Sequence, residues 1–429
     1  MSITSTSLRL ADTIADRVGI LRRPLRVEDL IARARAQSGL TEFGDGGFLE
    51  PLRRLLDSVS APEADLSLVG RLATQWDVVR FLSNLLRFQA EETRRPEIAG
   101  QRIQKPIFIT GLPRSGTTFL HRLMMEDPAN RAPLVWETIY PWSDPKGPDR
   151  RAARVARQLK AFERLAPEFR ALHPLDATSP QECSEITAHV FRSLRFDTNY
   201  QVPLYRRWLD ADASRHLPAY QFHQRFLRQL QWQDRPGRYR RWVLKCPEHV
   251  FALRAIRTVY PDARLIFVHR DPVKVLLSVA KLTEVLRRPF SRTLDPKLIG
   301  RDESARWLAG AERMMETGDD AGLPEPVCHV HHMDLISDPV TTVEGVYRHF
   351  GMSLPRDAAT GIERYVAERP NGGYGPRNYA FEDHGLDEDQ ERERFRPYML
   401  RFGIAAEGSP ARRPVRVNEP SRTPATTQS

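Results

Sequence analysis

A short apolar run, a glycine-bounded turn and an amphipathic segment follow one another at residues 105–125, KPIFITGLPRSGTTFLHRLMM. PIFIT carries β-branched residues in a stretch too short for a helix, and GLPRSG breaks it before the apolar spacing becomes helical. The order strand, loop, helix commits this part of the chain to an open α/β sheet with a tight turn at a strand's carboxyl end.

A second unit at 241–288 repeats the logic. RWVLK reads as a buried strand, PEHVFALRAIRTVY as a helix, Pro261-Asp262 as a turn and RLIFVH as another strand. Asp271 suits the N-cap and Pro272 the first position of the helix that follows. VCHVHHMDLI (327–336) reads as a further strand, and PVTTVEGVYRHFG as a helix capped by Asp338 and stopped by Gly351. Strands alternating with crossover helices imply parallel pairing, so the expected fold is α/β: a P-loop-like, doubly wound parallel sheet. A helical N-terminal region is expected over 1–100 and the α/β domain over 101–403. Within that domain an Arg-rich helical insertion is expected at about 150–235. The Pro-, Ser- and Arg-rich tail, 404–429, is too polar to order itself.

Charge enters next, because a phosphate-sized turn in a basic chain raises the question of nucleic acid. Lys and Arg total 65 against 55 Asp and Glu, a net charge of +10, and only seven of the basic residues are Lys. The Arg residues are scattered, with no run of five or six, which argues against a nucleic-acid arm. Cys183, Cys246 and Cys328 lack the spacing of a disulfide framework or a zinc site. No apolar stretch has signal-peptide or membrane-spanning length, so a cytoplasmic protein without an integral membrane segment is expected.

Four residues separate Gly111 from Gly116, as in loops that cradle nucleoside triphosphates, but Thr117 stands where such loops carry Lys. Backbone amides and a helix N-terminus still favour an anion there. Without the Lys a triphosphate is poorly served, and Arg114 offers a cation from another direction. HRD at 269–271 lacks the Asn of a kinase catalytic loop, since Leu276 occupies that position. His329 and His331 share a strand face while His332 points away, so no metal is expected.

Pro113, Arg114, Ser115, Gly116, Thr117 and Thr118 match in full the P-[KR]-[ST]-G-T-T loop of sulfotransferases that use 3′-phosphoadenosine 5′-phosphosulfate (PAPS), and the chain resembles that family. The family's 3′-phosphate motif, a strand-end Arg with Ser eight residues on, is similar to Arg270 and Ser278. The likeness spans about residues 40–400 and is closest to a bacterial group of larger sulfotransferases with a helical N-terminal region. It implies PAPS as co-substrate, with the loop holding the 5′-phosphosulfate and Arg114 reaching the bridging oxygen and sulfuryl group. Arg270 and Ser278 would hold the 3′-phosphate, joined by Arg377 in GYGPRNYAFEDHG.

For chemistry the resemblance points to Glu137, in VWETIYP, as the base, with Lys245 at a strand end neutralising the transferring group. His249 competes for the base role, but lies four residues from Lys245 where cytosolic members have two. His121 and Trp136 are expected to face a small-molecule acceptor; homo-oligomerisation is left open. The competing classes are a phosphotransferase on a P-loop-like core and a non-catalytic nucleotide- or nucleic-acid-binding protein.

Overall fold

A computed structural model of the chain describes residues 3–21, 23–142, 148–234, 240–319, 322–369 and 380–407. Four helices lead: α1 (Ile3–Arg17), α2 (Val27–Ser38), α3 (Leu49–Val59) and α4 (Leu68–Arg94). Strand β1 (Ile107–Gly111) and α5 (Thr117–Met124) follow, then β2 (Asn130–Arg131), α6 (Val135–Ile139) and α7 (Arg151–Leu165). Short helices between 169 and 233 separate these from β3 (Arg241–Lys245), β4 (Arg264–His269) and β5 (Cys328–His331).

The five strands are parallel in the order β2-β3-β1-β4-β5. From β1 the chain goes outward to β2, returns to β3, and crosses to the other side for β4 and β5. This reversal places the switch point at the carboxyl end of β1, where open α/β sheets bind ligands.

Alternation along the strands builds two buried layers. Phe108, Leu244, Leu265 and Phe267 face one, while Ile107, Ile109, Val243, Ile266 and Val268 face the other. α5 closes the second layer with Leu120, Leu123 and Met124. α4 enters the first through Val78, Phe81, Leu85 and Phe88, so the N-terminal helices share the sheet's own core. Truncating a fully buried ring such as Phe108 to Ala would cost about 3–5 kcal/mol. Gly70 lets α4 approach the 290 loop, since a Cβ there would overlap the Phe290 carbonyl oxygen.

Two local expectations change, and one short strand is added. β5 ends at His331, and residues His332–Ser337 turn into a helix that carries Leu335 into the core instead of continuing the strand. The helix expected from Pro247 is a 3-10 turn (Pro247–Phe251) followed by a separate helix, Leu253–Val259, because His249 and Val250 are drawn into the core at the break. The two-residue β2 has no apolar pattern of its own and is held by pairing with Arg241 and Trp242. Of the tail, residues 408–429 lie outside the described residues.

Candidate active site

The loop after β1 is shaped by backbone conformations that its glycines permit. Gly111 has φ 146°, and a Cβ there would overlap the Val268 carbonyl oxygen of β4; Gly116 has φ 104°. Between them Arg114 itself sits in the left-handed region at φ 63°, uncommon for a non-glycine residue and characteristic of ligand-binding turns. α5 starts at Thr117, so its first amides, which have no partner within the helix, lie beside the loop. Ser115 is fully buried, and its hydroxyl has no hydrogen-bond partner among the described residues. A buried orphan hydroxyl in an amide-lined turn fits a phosphate oxygen.

Two distant segments close on this loop. The Nε of Arg114 donates to Ser278 Oγ at 3.1 Å, and Arg270 Nη1 donates to the Arg114 carbonyl at 2.9 Å. Arg270 comes off the end of β4, and Ser278 lies two turns into the helix Pro272–Arg287, whose N-cap Asp271 accepts from Val273 N at 3.0 Å. The remaining face of Arg270 is engaged by Glu407, at 2.7 and 2.8 Å.

Lys245, at the carboxyl end of β3, is buried and donates from Nζ to Thr118 Oγ1 (3.1 Å) and Glu182 Oε1 (2.5 Å). Backbone pairing of Glu182 and Cys183 with Lys245 fixes this geometry: Cys183 N donates to the Lys245 carbonyl at 3.1 Å. Burial pushes the Glu182 carboxyl up, but Lys245, aided by His173, outweighs it and holds the pKa below the usual carboxylate range. His173 is pushed down to about 4, chiefly by burial, with Lys245 and Arg114 opposing the pull of Glu182.

Pro113, Arg114, Thr117, Thr118, His173 and Glu182 share one cavity of about 230 Å³. Phe169, Leu175, Leu194, Val279, Leu282 and Leu286 supply an apolar part of its wall. Glu248 also lines it, accepting from Ser193 Oγ and Leu194 N at 3.1 Å each, and burial pushes its pKa up to about 8. Glu185 and Arg195 of the wall join a network with α4: Arg80 donates to Asp77 (2.9 Å) and Glu185 (2.7 Å), and Arg195 meets the same two carboxylates at 2.9 and 2.6 Å. The four charges form a closed buried ring.

The structure thus gathers Pro113, Arg114, Ser115, Gly116, Thr117, Thr118, Lys245, Arg270 and Ser278 around one turn. Other expected residues lie elsewhere. Both oxygens of Glu137 are committed, one to Arg131 Nη2 and one to Leu134 N, each at 2.9 Å, so the carboxylate caps its own helix. It does not line the cavity, and neither do Trp136, which lies beneath the Arg151 guanidinium, and His121. His121 is buried with Nε2 3.0 Å from the Val243 carbonyl, and burial lowers its pKa to about 3. His249 is fully buried against Phe108 and bonded to Tyr220. Arg377 lies outside the described residues.

Sequence reasoning did not single out Glu182, His173 or Glu248. The first two end the loop HPLDATSPQE, which has no periodic pattern, and long-range backbone pairing, Glu182 with Lys245 and Pro180 with Leu134, brings that loop to the site.

Comparison with known proteins bears on the family and the fold. The model of the Sulfotransferase family matches residues 106–356. The omega-hydroxy-beta-dihydromenaquinone-9 sulfotransferase of Mycobacterium bovis is 26% identical over 291 residues, 61% of this chain and 67% of the relative. Among solved structures, sulfotransferase STF1 from Mycobacterium tuberculosis superposes with a TM-score of 0.75 at 30% identity, covering 87% of this chain and 99% of the other. STF9 from Mycobacterium avium gives 0.76 at 25%, covering 89% and 98%. With a parallel sheet, an anion-shaped turn after its first strand and a family match over more than half its length, the chain belongs to the sulfotransferase family.

Proposed function

We propose that this sulfotransferase takes its sulfuryl group from PAPS and passes it to a hydroxyl or amine of a small apolar acceptor by in-line displacement. The observation that carries the donor assignment is the convergence of Arg114, Arg270 and Ser278 on one side of a turn that also buries the unpartnered Ser115 hydroxyl. PAPS would supply the transferred group and leave as adenosine 3′,5′-bisphosphate. Ser115, Gly116, Thr117 and Thr118 hold the 5′-phosphate end, with the first amides of α5, and Pro113 shapes the turn. Arg270 and Ser278 hold the 3′-phosphate, and Arg377 belongs to the same reading.

Charge that builds on the leaving oxygen meets Arg114 and Lys245, both cations fixed in place before reaction, which is where electrostatic stabilisation is most effective. We assign the base to Glu182 in place of Glu137. Glu182 lines the acceptor cavity and is bonded to the Lys245 that touches Thr118, whereas Glu137 has both oxygens engaged away from it. Geometry ranks ahead of pKa in choosing a base. Glu248, whose pKa near 8 suits proton transfer, is the second candidate.

The apolar part of the cavity wall favours an acceptor with a hydrophobic body and a single reactive hydroxyl. No helix among the described residues is long and apolar enough to cross a membrane. The three cysteines, buried and unpaired, support a reducing, cytoplasmic setting.

Calorimetry with adenosine 3′,5′-bisphosphate against ATP tests the donor. Saturable binding of the bisphosphate, lost in Arg270→Ala, is expected. Tight ATP binding without response to the bisphosphate would overturn it in favour of a phosphotransferase.

A further inference from the structure

A second cavity lies apart from the cofactor turn. It measures about 720 Å³ and is walled by α4, the 140–142 segment and the start of α7. On α4, Arg80, Ser83, Asn84 and Arg87 recur at i, i+3, i+4 and i+7, the spacing that puts four side chains on one helix face. Opposite them Arg150, Arg154 and Arg157 recur at i, i+4 and i+7. Two facing stripes of this kind normally carry the apolar residues of a packed helix pair. Here they carry five arginines, a serine and an asparagine.

Charge balance across the gap is poor. Among the described residues, six arginines line the cavity against one carboxylate, Asp149, which is already bound in a fork by Arg151. Arg87, Arg150 and Arg157 have no carboxylate partner among the described residues, and Arg154 rests over the Tyr140 ring at 4.2 Å. Buried polar atoms point the same way. Arg80 is 5% exposed, and its Nη2 carries both of its ion pairs while Nε and Nη1 have no hydrogen-bond partner. Ser83 Oγ and Trp142 Nε1, on the same wall, are also buried and unpartnered. Guanidinium groups massed without carboxylates repel one another, and an anion with several oxygens would relieve that repulsion while satisfying the orphan donors.

We propose that this cavity is a second anion site, distinct from the cofactor turn, that binds a phosphate-bearing ligand of two or more negative charges. A neighbouring recess that shares Arg80, Tyr140 and Arg154 is bordered by Leu72 and Trp76, both well exposed. The same chemistry is therefore met by a free polyphosphate or by the headgroup of an anionic phospholipid whose chains lie over that ridge. Whatever binds acts on the guanidinium that holds Glu185, a residue of the acceptor-cavity wall.

The test uses the full chain and the triple variant Arg87→Gln/Arg154→Gln/Arg157→Gln, whose three side chains are exposed. Inorganic pyrophosphate is titrated by calorimetry with the cofactor turn saturated by adenosine 3′,5′-bisphosphate. In parallel, sedimentation is measured with vesicles containing phosphatidic acid, whose phosphomonoester carries up to two charges, and with neutral vesicles. At least tenfold weaker pyrophosphate binding in the variant, or loss of sedimentation with anionic vesicles alone, supports the site and tells its two sources apart. No binding of either probe to the wild-type chain, or equal binding by the variant, overturns it. The site does not rest on the donor assignment: if the bisphosphate fails to bind, the comparison of wild type with variant still decides.

Discussion

The guanidinium of Arg270 holds the carboxylate of Glu407 in a two-bonded fork, at 2.7 and 2.8 Å, and the Glu407 amide is tied to Asp271 at 2.8 Å. The residue assigned to the 3′-phosphate is thus already bound to an anion from the chain's own C-terminal segment. A nucleotide phosphate must displace that carboxylate. Glu407→Gln removes the competing charge and keeps the side chain's shape, so affinity for adenosine 3′,5′-bisphosphate should rise several-fold with little change for adenosine 5′-phosphate. Equal gains for both ligands would mean that Glu407 acts on something other than the 3′-phosphate.

Proton removal from the acceptor is assigned to Glu182. Glu182→Gln should lower turnover by at least 10²-fold, the usual scale of general-base loss, while bisphosphate affinity stays within about threefold. Glu137→Gln should instead spare turnover per folded molecule and lower the unfolding midpoint, because it weakens the Arg131 pair and the cap of α6. Retained turnover in Glu182→Gln with loss in Glu248→Gln would move the base to Glu248.

The ring of Asp77, Arg80, Glu185 and Arg195 ties α4 to the wall of the acceptor cavity. Asp77 is buried and takes one bond from each arginine, so Asp77→Asn leaves two guanidinium groups short of charge. A loss of about 3 kcal/mol is expected, the lower end for breaking a buried ion network. Urea unfolding would read it, and a change below about 1 kcal/mol would show the ring to be loosely coupled.

Burial holds several histidines neutral: His121, His189 and His223 are lowered to about 3, and His173 and His216 to about 4. Their unfolded value is 6.5, so between those limits the unfolded chain binds more protons than the native one. Stability from these groups is full above pH 6.5 and is lost as pH falls towards 3. Glu248 runs the other way. Its pKa is raised from 4.5 to about 8, so its contribution falls as pH rises across that window. Asp210, raised to about 6 by burial, and Glu303, also raised by burial, act in the same direction as Glu248. With five histidines against these three carboxyls, the urea midpoint should drop from pH 7.5 to pH 5; an unchanged midpoint would contradict the buried neutral imidazoles.

The histidines show where sequence reading stops. His121 is expected at the acceptor and His249 as a competitor for the base because they sit near the motifs, yet both are packed against the sheet. Chemistry near a motif in sequence does not fix which side of a strand or helix it occupies in space.

What the sequence by itself determined is the part whose physics is local. A strand that ends in a turn demanding two glycines, followed at once by a helix N-terminus, brings free backbone amides together whatever surrounds it. A strand-end Arg with Ser eight residues on is likewise a short-range geometry, and both survive in the folded chain. Tertiary structure alone decided the rest, because it depends on segments far apart in sequence. Pairing of Glu182 with Lys245 across 63 residues, capture of Arg270 by Glu407 across 137, and two arginine stripes facing one cavity all arise from how the layers close. No local pattern encodes such distances: they follow from which faces the core leaves unburied.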